Sequence, residues 1–127
     1  MYFVSIDVIL GIHDDLCQTF HNRKGILSLW QLESLCSHVQ NDQYYPTIID
    51  KIAHLFFWLV QFHIFVDANK RTALLATLIF IAGNHEKFTY IDVDKLVLFL
   101  EQLALSVATG KTSEKELPDI LGQYFSY

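Results

Sequence analysis

Only two cysteines, Cys17 and Cys36, stand in the chain, in neither a metal-ligand nor a C-x-x-C spacing. A disulfide scaffold or a zinc module needs more, so the expectation is a cytoplasmic domain with two reduced thiols. Cations are also scarce. Nine Lys and Arg stand against fourteen Asp and Glu, for a net charge of −5, and no basic run appears. That removes the basic face of a nucleic-acid binder, and no direct nucleic-acid partner is expected. The start, Met1-Tyr2-Phe3-Val4-Ser5-Ile6-Asp7, has no cationic segment and no small-residue cleavage site, so no signal peptide is read there. Long apolar runs are missing too, although mean hydropathy is +0.28. Ile52 to Val66 is interrupted by His54, Gln61 and His63. Thr72 to Ala82 falls short of the roughly 20 residues a bilayer needs, so no membrane partner is expected. Six histidines show no H-E-x-x-H spacing, which argues against a metal hydrolase. Strand signals reduce to Phe88-Thr89-Tyr90-Ile91, and repeats, low-complexity tracts and linkers are absent.

What is present is a core. The chain is 52% apolar and 14% aromatic over 127 residues, enough to close one hydrophobic interior. Helical spacing runs from Ile6 to Thr19 through Val8, Ile9, Ile12 and Leu16, with Asp7 near the N-terminus. It returns from Leu29 to Val39 after a loop, His21 to Gly25. A polar and aromatic connector, Asn41 to Pro46, leads to Thr47, which with Asp50 predicts a helix start. From Ile48 to about Phe62 every face is apolar, as in a buried central helix. A second apolar helix is expected from about Arg71 to Ala82, stopped in left-handed conformation at Gly83-Asn84. Asp92 or Asp94 begins another helix through Val107, and Thr109 to Thr112 is a turn. Ser113 with Glu116 predicts a capping box for a last helix ending near Tyr124. The expectation is a compact, all-α, single-domain bundle over residues 1–127, with the loop 63–70 between two central helices.

That loop carries the chemistry. His63-Ile64-Phe65-Val66-Asp67-Ala68-Asn69-Lys70-Arg71-Thr72-Ala73 sets a base, a carboxylate, an amide and two cations between two apolar stretches. Polar groups there cost free energy unless they find partners, so the set asks for a ligand. The helix that follows offers N–H groups and a positive dipole end to an anion. Lys70 and Arg71 are unfavourable at that end unless something negative lies against them. Arg71 can clamp phosphate oxygens in pairs, and Lys70 acts as a point charge. Asp67 is a hard oxygen ligand for Mg²⁺. Asn69 can orient a phosphate or cap the helix. His63 has the pKa range to accept a hydroxyl proton. Phe65 reads as the residue that anchors the loop in the core. The parts suit phosphoryl or nucleotidyl transfer.

The run resembles the motif of the Fic/Doc family, H-P-F-x-[D/E]-G-N-G-R-x-x-R in the Fic branch. Here it reads H-I-F-V-D-A-N-K-R-T-A-L, similar to the Doc (death-on-curing) toxin branch. Weaker matches follow in the family's order: Ile12-His13-Asp14, Leu32-Glu33-Ser34, Tyr45-Pro46 and Ala108-Thr109-Gly110. The resemblance implies a helical bundle and a toxin held by a cognate antitoxin protein. It implies His63 as general base, Asp67 as Mg²⁺ ligand, and Asn69, Lys70 and Arg71 as phosphate contacts, with ATP as substrate. It also implies a target-docking flap at Asn41, Asp42, Gln43, Tyr44 and Tyr45, where a target segment pairs along an exposed edge.

Two departures choose the branch. Lys70 and Leu74 replace the second glycine and the last arginine of the Fic pattern. A lysine side chain crowds the place where phosphates would lie on bare backbone. The Doc branch shares both changes, and its members act as protein kinases that phosphorylate a threonine of elongation factor Tu and arrest translation. Transfer of AMP to a protein hydroxyl and an inert partner-binding module are the alternatives. Ser28 and Trp30 also depart from the family, at positions that bear on partner docking. Thr112-Ser113-Glu114-Lys115-Glu116-Leu117 only partly matches the family's inhibitory helix and reads as the capping box, leaving inhibition to the antitoxin.

Overall fold

The computed structural model describes residues 1–126. They form six α-helices: α1 Ile6–Phe20, α2 Leu29–Val39, α3 Ile48–Gln61, α4 Asn69–Gly83, α5 Val93–Ala108 and α6 Leu117–Phe125. Short 3₁₀ turns stand at His85–Lys87 and Glu114–Glu116. The fold is all-α. The single β-type pairing among the described residues is a bridge between Ile26 and Phe65, and Phe88–Ile91 forms no strand. No described helix is long and apolar enough to cross a membrane.

Local chemistry sets most helix ends. Ser5 caps α1 by accepting from Val8 N–H, with Asp7 in the first turn. Thr47 and Asp50 make the expected reciprocal capping box of α3. Asp92, not Asp94, caps α5 by accepting from Lys95 N–H. Ser113 and Glu116 also form their box, but around the 3₁₀ turn that leads into α6.

Helix α3 is the hub and packs against α2, α4, α5 and α6. Ile52, Phe56 and Leu59 are buried in its face, joined by Phe80 of α4 and Leu100 of α5. Helix α4 packs most extensively against α3 and buries Thr72, Ala73, Ala76 and Thr77, small side chains that permit a close approach of neighbouring helices. The core of α3 also holds two polar residues. Lys51 donates to the Val39 carbonyl at 2.9 Å and pairs with Asp42 at 2.9 Å. His54 Nδ1 lies 2.8 Å from Glu114.

Two boundaries differ from expectation. Helix α4 begins at Asn69, two residues before Arg71, because Ala68 takes the left-handed conformation at the N-cap (φ 64°). Gly83 is not the left-handed stop. It ends α4, and its glycine identity answers a close approach: a Cβ there would collide with the Tyr2 ring. The stop is made by Asn84. Its backbone N–H bonds Ile81 O, and its amide donates to Phe80 O and Tyr2 O and accepts from Tyr2 N–H.

Candidate active site

The loop between α3 and α4 opens into a cleft of about 470 Å³. His63, Asp67, Asn69, Lys70 and Arg71 all line it, with Asn22 from the tail of α1 and Ala108 from the end of α5. Its size falls in the roughly 300–1,000 Å³ range of small-molecule sites.

The loop residues divide into those that hold and those that are held open. Phe65 is buried to 1% exposure. Its N–H donates to Asn69 Oδ1 at 3.1 Å, and its carbonyl accepts from Asn69 Nδ2 at 2.9 Å. Asn69 thus acts as a strand edge for Phe65, with one amide N–H left over. On the other side, Val66 N–H donates to Gly25 O at 3.0 Å and Leu27 N–H to Ile64 O at 2.8 Å. Gly25 is required there. Its φ is 130°, and an added Cβ would stand 2.8 Å from a Val66 methyl.

Asp67 faces the tail of α1. Oδ2 accepts from Asn22 Nδ2 and from Arg23 N–H, each at 3.2 Å, and Oδ1 accepts from Ala68 N–H at 2.9 Å. The Arg23 and Ala68 N–H groups, then the Asn22 amide, hold its carboxyl below the usual value. No group of three or more His, Cys, Asp or Glu gathers to cage a metal among the described residues. A lone carboxylate with unfilled lone pairs fits Mg²⁺, which is held by one or two carboxylates plus substrate phosphates, and does not fit zinc.

His63, Lys70 and Arg71 are exposed at the cleft. His63 follows α3 with φ 20°. The guanidinium of Arg71 lies over the Phe20 ring, 4.2 Å from its centroid, and pairs with no carboxylate among the described residues. No side chain caps α4, so its first N–H groups are open to an anion.

The connector 41–46 is not brought to this cleft. Tyr45 N–H bonds Asn41 O, and Asn41 Oδ1 accepts from the Gln43 and Tyr44 N–H groups, which makes a tight turn without an extended edge. Tyr44 and Tyr45 line a separate cleft of about 540 Å³ with His54 and Glu114. The extended segment beside the loop is 24–28. Ile26 and Phe65 form a non-hydrogen-bonded antiparallel pair, so the N–H and C=O of Ile26 point away from the loop.

Four supporting residues are not singled out for the site by the sequence, although His13 stands in a family match and the others in the loop 21–25: His13, Asn22, Arg23 and Gly25. One signal was available. His13 interrupts the stripe Ile9, Leu16 and Cys17 that α1 buries.

Fold and cleft define an all-helical protein that concentrates its polar groups on one loop and one helix start between two central helices. The chain belongs to the Fic/Doc family. The Fic/DOC family model matches residues 3–81, which contain the whole loop. The chain is also 28% identical over 128 residues to the protein kinase doc of Escherichia phage P1, covering 98% of this chain and 97% of that protein.

Proposed function

We propose that the protein is a Doc-like toxin: a protein kinase that transfers the γ-phosphoryl group of ATP to a threonine hydroxyl of elongation factor Tu in the cytoplasm. A cognate antitoxin protein restrains it. The observation that carries this reading is the cleft itself, where an open helix end, two cations and an imidazole without ion-pair or hydrogen-bond partners among the described residues, and a carboxylate converge. The name of the phage relative supports the kinase form of the chemistry.

In this reading the phosphates lie against the first turn of α4. Arg71 clamps their oxygens, braced on Phe20, and Lys70 adds a point charge. Asp67, with its carboxylate ionised and held, would ligate Mg²⁺, which when bound neutralises phosphate charge. His63 takes the proton from the attacking hydroxyl. The new O–P bond forms to the γ-phosphorus, the bond to the β–γ bridging oxygen breaks, and ADP leaves with that electron pair. The imidazolium then returns its proton to solvent. The open edge at Ile26 suits a target segment that adds as a short strand, in place of the connector 41–46. Restraint by a separate protein agrees with Glu114 and Glu116, which are engaged by His54 and Ser113 away from Arg71.

The test is mass spectrometry of elongation factor Tu and whole cytosol after incubation with the protein, ATP and Mg²⁺. A gain of about 80 Da on a threonine is expected for phosphoryl transfer. A gain of about 329 Da would instead mean transfer of AMP, with α-phosphate chemistry at the same cleft. No modification by a protein that still binds ATP would overturn the enzyme reading and favour a partner-binding module.

A further inference from the structure

One buried polar residue takes no part in that chemistry. His13 is 5% exposed on the inner face of α1. Its ring stacks on Phe65, with centroids 3.8 Å apart and planes 12° from parallel. Its Nε2 is 2.9 Å from the Asp67 carbonyl oxygen. A carbonyl only accepts, so Nε2 carries the proton and donates. Cys17, one turn further on, lies 3.6 Å from the same nitrogen and donates to the Arg23 carbonyl, whose own N–H grips Asp67.

The loop needs such support. Ala68 sits in the left-handed region at φ 64°, and His63 is at its margin at φ 20°. Backbone in these regions persists only when its surroundings over-determine it. Asn69 and Gly25 fix Phe65 and Val66. Between Val66 and Ala68 the direction of the Asp67 carbonyl is fixed by the hydrogen bond from His13. The peptide plane beyond that carbonyl carries the Ala68 N–H, which in turn binds Asp67 Oδ1.

We propose that His13 is a positioning residue that fixes the Asp67 peptide, so that the Asp67 carboxylate meets the cleft in one orientation. The Phe65 stack sets the height of the imidazole, and the Nε2–H bond sets the peptide. This rests on Asp67 as the cation ligand. Partners one shell away from a metal ligand typically change metal affinity by about 10–100-fold.

Two variants separate the ring from the donor. His13→Phe keeps the stack and loses the N–H. His13→Gln keeps an amide N–H near the Nε2 position and loses the stack. In the free protein, His13→Phe is expected to speed hydrogen exchange at the Val66 and Ala68 amides about tenfold while Phe56 and Leu100 exchange as in wild type. By calorimetry with ATP, the gain in affinity that Mg²⁺ confers is expected to fall about tenfold, with Mg²⁺-free ATP affinity unchanged. His13→Gln should recover most of both. Wild-type exchange at Val66 and Ala68 in His13→Phe would overturn the proposal. So would faster exchange everywhere, which marks a purely structural residue. A wild-type protein whose ATP affinity ignores Mg²⁺ would overturn Asp67 as cation ligand, and the exchange data would still decide whether His13 holds the loop.

Discussion

Replacing Asn69 by alanine separates two roles that one amide could have. If the amide only touched phosphate at an exposed helix start, its removal would leave stability untouched. The structure instead puts both amide atoms on the backbone of Phe65, at 3.1 and 2.9 Å, where Phe65 is 1% exposed. Each of these two hydrogen bonds is worth about 1 kcal/mol net, and a buried N–H without a partner adds a penalty of about 1–2 kcal/mol. Alanine returns roughly 0.5 kcal/mol through better helix propensity. The balance is a destabilisation of about 2.5–3.5 kcal/mol. With an unfolding entropy of about 2.1 cal/mol/K per residue over 127 residues, Tm should fall by roughly 9–13 °C. Asn69→Asp keeps the acceptor for Phe65 N–H but turns a carboxylate toward the Phe65 carbonyl, so it should also be less stable, although an acid suits a helix start. The assay is a thermal melt without nucleotide, paired with ATP calorimetry. An unchanged melt for Asn69→Ala, with ATP affinity reduced, would refute the clamp and restore the phosphate role.

Other outcomes follow from the same geometry. His63→Ala should keep the wild-type melt, because the side chain is exposed, and should lower the rate of the proposed phosphoryl transfer by about 10²–10⁴-fold; comparable rates would sink the base assignment. Ala68→Gly should raise stability by up to about 1 kcal/mol, since glycine takes φ 64° without a Cβ penalty; a lower Tm would show that the left-handed N-cap is not strained. Gly25→Ala should do the reverse through its φ of 130° and the 2.8 Å approach to Val66, with extra exchange at the Val66 amide as the reporter. Asp67 and Glu116 both titrate below their ordinary values of 3.8 and 4.5. Their folded pKa values are depressed, so their stabilisation is complete above those ordinary values and disappears as pH falls through the lower folded ones. Asp67→Asn and Glu116→Gln should therefore flatten the acid limb of stability in urea titrations, and an acid limb identical to wild type would contradict the assigned hydrogen bonds.

The parts of the fold that sequence predicted are those with local causes. The all-round apolar stretch of α3, the Thr47–Asp50 box and Asp92 before α5 each announce an element within a few residues. That His63, Asp67, Lys70 and Arg71 line one cleft was legible because four polar groups interrupt a core. What sequence did not reveal depends on partners distant along the chain. Helix α4 starts early because Ala68, a residue with no capping side chain, is forced left-handed by the loop. Gly83 reads as a helix stop, yet its reason is the ring of Tyr2. The edge at Ile26 exists only once Gly25 and Leu27 bond Val66 and Ile64, and nothing in the composition of 24–28 marks it. The turn at 41–45 follows from the Asn41 side chain, but its distance from the cleft follows from Lys51, which holds Asp42 over the end of α2.

The division of labour inside the loop narrows what the cleft can hold. Phe65, Asp67 and Asn69 are engaged by α1, its tail and each other. Lys70 and the first N–H groups of α4 are not, Arg71 touches α1 through the uncharged Phe20 ring, and all three sources are positive. The carboxylate of the loop, Asp67, is turned toward Asn22 and Arg23. Two full charges and the roughly half charge of a helix end thus gather with no carboxylate in ion-pair contact with Lys70 or Arg71 among the described residues, an arrangement that favours an anion in the cleft. A singly charged carboxylate would leave most of that charge unmatched. The proposed polyphosphate would match it, and a cation between the phosphates and the Asp67 carboxylate would relieve the repulsion between them. The same charge balance explains why the loop is fastened from the side of α1. Any shift of Asp67 toward Lys70 and Arg71 would neutralise them from within, and the cleft would lose its claim on the ligand.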